Sequence, residues 1–268
     1  MPAPRVCILR VAGTNCDVET QYAWELAGAH AERIHIRRLI ERPALLDACA
    51  ALTLPGGFSY GDDISAGRIF AAQVQRHLLD AVVGFIDRGG LVLGVCNGFQ
   101  VLVKTGLLPF PGETGGPRRC SVTYNQPRGF QDRWVTLAAG DHECAFLEPG
   151  RRYELPIAHG EGRVVFSDEP ALRRVTDAGL DVLRYVPSEA VPSDEPFNPN
   201  GSQADVAGLC DPTGRVFGLM PHPERFVVAT QHPRWTARGG DARSDGLAIF
   251  RRAVACMAPG RALATTSE

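Results

Sequence analysis

The stretch Leu91-Val92-Leu93-Gly94-Val95-Cys96-Asn97-Gly98-Phe99-Gln100-Val101-Leu102 limits what this chain can fold into more than any other. An apolar run ends at a cysteine, and helix-compatible residues follow. Gly94-x-Cys96-x-Gly98 is the cysteine counterpart of the nucleophile elbow, a sharp strand-to-helix turn with its nucleophile at the tip. Such a turn leaves no room for large side chains two residues before or after the tip. The helix that follows aims unpaired N–H groups and the positive end of its dipole at the sulfur, which favours thiolate over thiol. The plainer reading of the same residues is a buried structural cysteine between a core strand and a helix.

The chain on either side suits such an elbow. Residues 5–11 read as a buried strand, 18–27 as a helix ended by Gly28, 31–39 as a second strand and 42–50 as a short helix. Residues 51–54 read as a third strand stopped by Pro55-Gly56-Gly57, and 69–87 as one helix closed by Gly89-Gly90. This alternation predicts an α/β fold with a doubly wound, mostly parallel sheet flanked by helices, flavodoxin-like. After Gly106 the pattern changes. Residues 109–127 read as loop, and 134–137, 152–155, 164–166 and 182–186 as short added strands. Residues 188–199 read as a surface loop. Residues 205–210 and 215–220 predict an antiparallel hairpin around Asp211-Pro212-Thr213-Gly214. Residues 225–243 look irregular, and Ser244 is placed to cap a last helix over 245–257. A single domain over 5–257 with a frayed tail over 258–268 is the expected organisation.

Composition excludes several partners. A formal net charge of -2 over 268 residues offers nothing to nucleic acid or to an anionic membrane. No apolar run is long enough for a membrane helix, and the first residues lack a signal-peptide layout. The eight cysteines are scattered without a C-x-x-C pair, so neither a disulfide framework nor a structural zinc site is expected. That usage fits a reducing cytoplasm. Asp62 and Asp63 form one acidic pair, which reads as a turn rather than a metal site; no metal is expected.

A cysteine nucleophile needs a base, and the base needs an orienting group. Among seven histidines, His222 stands in Leu219-Met220-Pro221-His222-Pro223-Glu224-Arg225, directly after an apolar strand. Open α/β sheets place chemistry at strand ends. The flanking prolines favour an extended backbone, which projects His222 and Glu224 to one side. Glu224 then accepts the second imidazole N–H and fixes the tautomer. A surface histidine beside a salt-bridging glutamate is the alternative. An oxyanion hole needs two backbone donors. Asn97, after the nucleophile, supplies one, and Gly57 or Phe58, after the third strand, the other. His30, His35, His77, His142 and His232 have no partner pattern and read as surface or packing residues.

These residues carry a family resemblance. Pro55-Gly56-Gly57, Gly94-x-Cys96-x-Gly98-x-Gln100 and His222-Pro223-Glu224, in this order, resemble the triad (class I) glutamine amidotransferases. Five stretches look closer still to the branch that serves phosphoribosylformylglycinamidine synthases. They are Gly13-Thr14-Asn15-Cys16-Asp17, Gly57-Phe58-Ser59-Tyr60-Gly61-Asp62, Pro156-Ile157-Ala158-His159-Gly160-Glu161-Gly162, Asn198-Pro199-Asn200-Gly201-Ser202 and residues 218–225. The resemblance implies Cys96 as nucleophile, His222 as base and Glu224 as its orienter. It implies that Gly57, Phe58, Asn97 and Gln100 hold glutamine, that His159 and Glu161, in a polar glycine-rich loop, line the site or meet a partner, and that Cys16 is not the nucleophile. It implies no cofactor in this chain, with ATP and magnesium on a separate synthetase subunit, and a small accessory subunit beside it. The sequence departs from the branch at two places. Asp132 stands where a cysteine is expected after Asn125 and Phe130 and before Arg133, and residues 225–243 look longer than usual. Two other readings share the fold: a free-standing cysteine hydrolase of γ-glutamyl substrates, and a non-catalytic assembly subunit.

Overall fold

The computed structural model describes residues 2–113, 118–188, 195–237 and 244–257. The first half runs β1 (Arg5–Arg10), α1 (Asp17–Leu26), β2 (His30–His35), α2 (Ile36–Glu41), β3 (Ala51–Leu54), α3 (Arg68–His77), α4 (Leu79–Asp87), β4 (Leu91–Val95) and α5 (Asn97–Thr105). The second half adds β5 (Cys120–Thr123), β6 (Gln131–Ala139), β7 (Arg152–His159), β8 (Arg163–Phe166), α6 (Glu169–Asp177), β9 (Leu183–Val186), β10 (Val206–Cys210), β11 (Val216–Leu219) and α7 (Asp245–Cys256).

Nine strands form one sheet in the order β2-β1-β3-β4-β11-β10-β9-β6-β7. β2, β1, β3, β4 and β11 pair in parallel. The remaining neighbours pair antiparallel, which reverses only β10 and β6. Most strands therefore point the same way, as the alternating pattern predicts. β3 and β4 are buried along their whole length, as strands covered on both faces must be. The order β2-β1-β3-β4 reverses direction at β1/β3, and right-handed crossovers then put α1 on one face and α3 and α5 on the other. Trp24 of α1 stacks edge-on against Phe250 of α7, with centroids 5.0 Å apart, and donates from Nε1 to Thr53 Oγ1 at 3.0 Å. That contact fixes both helices over β3. β5 and β8 pair as a separate small ladder. No single helix among the described residues is long and apolar enough to cross a membrane.

Several elements differ from the sequence expectation. The second strand ends at His35, whose Nδ1 accepts from Arg37 N at 3.3 Å and so caps α2. Ile36 and Leu39 then share one helical face toward the core. The helix expected over 69–87 is two helices bent by 74° at Leu78. Leu78 is buried at the bend, which lets the apolar stripes of α3 and α4 both reach the core. β5 lies inside the expected loop; Cys120 and Val122 are its only buried positions, too few to signal a strand. α6 was not expected, yet Asp168 caps it by accepting from Ala171 N at 2.8 Å, and Pro170 stands in its first turn. Ser244 does not cap α7, because its hydroxyl donates to Val227 O at 2.9 Å. His159 is the last residue of β7 and not part of a loop. The tail over 258–268 and the centre of the 188–199 loop lie outside the described residues.

The tightest packing in the fold is at the elbow. A Cβ on Gly98 would stand 1.8 Å from Leu54 O. Gly98→Ala must therefore push α5 away from β3, at a cost of about 1–3 kcal/mol. Thermal unfolding should show a Tm lowered by several degrees together with lost activity; an unchanged Tm would contradict this packing.

Candidate active site

The carboxyl ends of β1, β3, β4, β11 and β7 meet around one cavity of about 630 Å³. Cys96 sits between β4 and α5 with φ 49° and ψ -104°, the strained geometry that an elbow nucleophile needs. Its N–H donates to Leu219 O at 2.8 Å, which ties the tip to the end of β11. Gly94 and Gly98 are packed against one another, as the spacing predicts: a Cβ on Gly94 would meet Gly98 O at 2.8 Å. The Cys96 sulfur stands 4.0 Å from Ala158 O, on β7.

His222 follows β11. Its N–H donates to Pro156 O at 2.8 Å, and its Nδ1 lies 2.6 Å from Glu224 Oε1. Both side chains are buried. Glu224 Oε2 and His222 Nε2 make no hydrogen bond of ordinary geometry. Burial alone would depress the imidazole pKa; the Glu224 carboxylate, then the Cys96 and Cys16 sulfurs, outweigh it and hold the ring well above its ordinary value. A carboxylate accepting from Nδ1 leaves Nε2 as the working nitrogen toward the sulfur.

The loop after β3 is zipped to the loop after β1. Phe58 N donates to Gly13 O at 3.0 Å, Tyr60 N to Ala12 O at 2.8 Å, and Cys16 N to Gly56 O at 3.3 Å. Phe58 N–H is thus already committed, and Gly57 N–H is the donor left for an oxyanion. Gly57 has φ 137° and would drive a Cβ to 2.7 Å from Asn15 N, so only glycine fits. Asn97 opens α5, so its own N–H has no intrahelical partner. The Asn97 side chain accepts from Ser59 Oγ and donates to Asp62 Oδ1 and Gln100 Oε1 at 3.1 and 3.0 Å. Gln100 donates to Glu161 O. One amide hydrogen and one lone pair of Gln100 remain for a ligand. Asp62 also accepts from Gly67 N at 3.0 Å, which bears out its reading as a turn residue.

Gly57, Phe58, Cys96, Gln100, His159, Glu161 and His222 line the cavity, while Asn97 and Glu224 stand behind its wall. His232 is buried against Trp134, with centroids 4.4 Å apart, a packing role as expected. Three features were not legible in the sequence. Cys16 lies beside His222, with Arg225 Nη2 donating to its sulfur at 3.2 Å. Burial pushes the Cys16 thiol up to about 11. Asp132, the residue that departs from the family pattern, lines the cavity as well. Asn125 is the third. It donates to Gly129 O and His159 O, each at 2.9 Å, and its Oδ1 accepts from Gly162 N at 2.9 Å and faces His159 Nδ1 at 3.2 Å. Those bonds make Oδ1 an acceptor and place the His159 proton on Nδ1. Its Nε2 is buried with no partner.

Burial, and then the charge of His222, push His159 down to about 3. The unfolded chain takes up this proton near 6.5 and the folded one only near 3. Stability due to this group is therefore present above 6.5 and lost as pH falls toward 3. His222, whose folded value is raised, is charged in both states over that window and adds no slope. His159→Gln should flatten the fall of Tm between pH 6.5 and 3; an unchanged slope would mean that His159 titrates normally.

Comparison with known proteins gives matches along nearly the whole chain. The CobB/CobQ-like glutamine amidotransferase domain matches residues 3–257. The phosphoribosylformylglycinamidine synthase subunit PurQ of Dehalococcoides mccartyi is 44% identical over 256 residues, 95% of this chain and 98% of that one. The PurQ subunit of Methanococcus maripaludis is 37% identical over 263 residues, 94% of this chain and 96% of that one. Among solved structures, PurLQS from Thermotoga maritima aligns with a TM-score of 0.72 at 30% identity, over 96% of this chain and 100% of that chain.

Proposed function

This chain belongs to the CobB/CobQ-like glutamine amidotransferase family, and from that premise we propose that it is the glutaminase subunit of a phosphoribosylformylglycinamidine synthase. It hydrolyses glutamine to glutamate and ammonia, and the ammonia passes to a separate synthetase chain in purine biosynthesis. The relatives' printed function and the chain covered by PurLQS support that assignment. ATP and magnesium belong on the synthetase, since this sequence has no Gly-x-x-x-x-Gly-Lys-[Ser/Thr] phosphate loop. A small third subunit completes the assembly, and the cytoplasm is its compartment. The amidotransferase domain spans 5–257.

The observation that carries the chemistry is that His222, buried against Glu224, shares one cavity with the elbow cysteine. The Cys96 thiolate attacks the side-chain carbonyl carbon of glutamine. The carbonyl oxygen becomes an oxyanion held by the N–H groups of Gly57 and Asn97. The C–N bond breaks as His222 Nε2 gives its proton to the departing ammonia, leaving a γ-glutamyl thioester on Cys96. His222 then takes a proton from water, the hydroxide attacks the thioester, and glutamate leaves as the thiolate re-forms. Glu224 holds the ring by its Nδ1 proton through both steps and stays ionised. Gln100, through its remaining amide hydrogen and lone pair, and the Phe58 side chain position the substrate. His159 and Glu161 wall the site.

An electrophilic glutamine analogue should modify Cys96 by mass spectrometry, and excess glutamine should suppress the adduct. Cys96→Ala should abolish ammonia release. Glu224→Gln should lower kcat by about 10⁴ with a much smaller change in KM, since the ring loses its tautomer and not its substrate. An adduct on another cysteine, or glutamine turnover by Cys96→Ala, overturns the assignment.

A further inference from the structure

We propose that Cys16, His222 and Glu224 form a binding site for a thiophilic divalent cation of the zinc class, and that its occupation switches the glutaminase off. The Cys16 sulfur, an imidazole nitrogen of His222 and a carboxylate oxygen of Glu224 all lie within 4.8 Å of one another. Thiolate, imidazole and carboxylate are the three ligand types that zinc prefers. Zinc needs such atoms about 3.5 Å apart, so a contraction of about 1 Å closes the site. All three side chains are buried, and Glu224 Oε2 and His222 Nε2 have no partner of their own. Unpaired buried polar atoms are costly, and a cation beside the Glu224 carboxylate relieves Oε2.

The surroundings favour a cation. Arg225 donates to the Cys16 sulfur and opposes it, but Arg225 also pairs with Glu19 at 3.0 Å. With Cys16 ionised, the thiolate and the Glu19 and Glu224 carboxylates outnumber the Arg225 guanidinium and the His222 imidazolium. Cys16 and His222 both line the cavity, which gives an ion its entry path. Its open coordination position takes water. Uptake breaks the S–H bond of Cys16 and the His222–Glu224 hydrogen bond. The thiol proton, and one ring proton when the imidazole is charged, go to solvent. Two groups that the proposed reaction needs are then ligands, so the metal inhibits without touching the nucleophile. The inhibition rests on the proposed function; the binding does not.

Cadmium is the probe, because its thiolate bond absorbs in the ultraviolet. Wild type and Cys96→Ala should each gain the sulfur-to-cadmium band at one equivalent. Cys16→Ser and Cys16→Ala should lose it, with affinity down at least about 100-fold. Both changes keep the backbone bonds of Cys16 to Gly56 and Thr20, and Cys16→Ser also keeps an acceptor for Arg225. Measured against its own metal-free rate, Cys16→Ser should tolerate about 100-fold more zinc than the wild type, and a chelator should restore the wild type. A band that survives without Cys16, one that disappears with Cys96→Ala, or none in the wild type overturns the site. A chain that binds cadmium at Cys16 yet never turns over glutamine would overturn only the functional reading.

Discussion

The near-contact of Gly98 with Leu54 O is the constraint on which the site depends. It holds the first turn of α5 against the end of β3. Cys96 can keep its positive φ only because the strand before it and the helix after it are both pinned: β4 lies between β3 and β11, and the Cys96 N–H is tied to Leu219. A strained residue persists where its surroundings over-determine it. The same approach sets the distance between the loop after β3 and the start of α5, and hence between Gly57 and Asn97. The spacing of the two N–H groups proposed to hold the oxyanion is a by-product of helix-on-strand packing.

A second constraint is electrostatic. His222 and Glu224 are buried together, an arrangement that stabilises a fold poorly because desolvation of both groups offsets their attraction. It persists here because each half is anchored by backbone: the His222 N–H is held by β7, and Arg225 N donates to His222 O at 3.2 Å, which tightens the turn carrying Glu224. The neutral His159 nearby keeps a second positive charge out of the same space. Two histidines of one site thus have opposite protonation tendencies: burial and the charge of His222 hold the His159 ring neutral, while the Glu224 carboxylate holds the His222 ring charged.

The first half of the fold was legible because its signals are local. β3 and β4 are short, mostly apolar runs, buried throughout, that end at Pro55 and at Cys96, and their bounds follow from that. Cys96, His222 and Glu224 were legible for the same reason, since each motif lies within a few residues. The errors fall where a decision rests on distant contacts. Ser244 fails as a cap because Val227 claims its hydroxyl; His35 is the exception, since the cap that ends its strand is local, to Arg37 N. His159 was assigned to a loop because Gly160 and Gly162 follow it, whereas pairing with Gln131 keeps it in β7. Cys16 beside His222 was invisible, since some two hundred residues separate them and only the topology joins β1 to β11.

β7 is the last strand of the sheet, and among the described residues no strand pairs with its outer side. An open edge of this length is a template for pairing with another chain. Two of its outward groups are taken: Glu154 N donates to Asp245 Oδ2 at 2.9 Å, and Pro156 O accepts from His222 N. Pro156 itself has no N–H to offer, which suits an edge position. The peptide contact that fixes the imidazole also occupies the sheet's margin. Protection against aggregation and placement of the histidine are therefore one feature, and a change that loosened the turn after β11 would expose a sticky strand as well as misplace the ring.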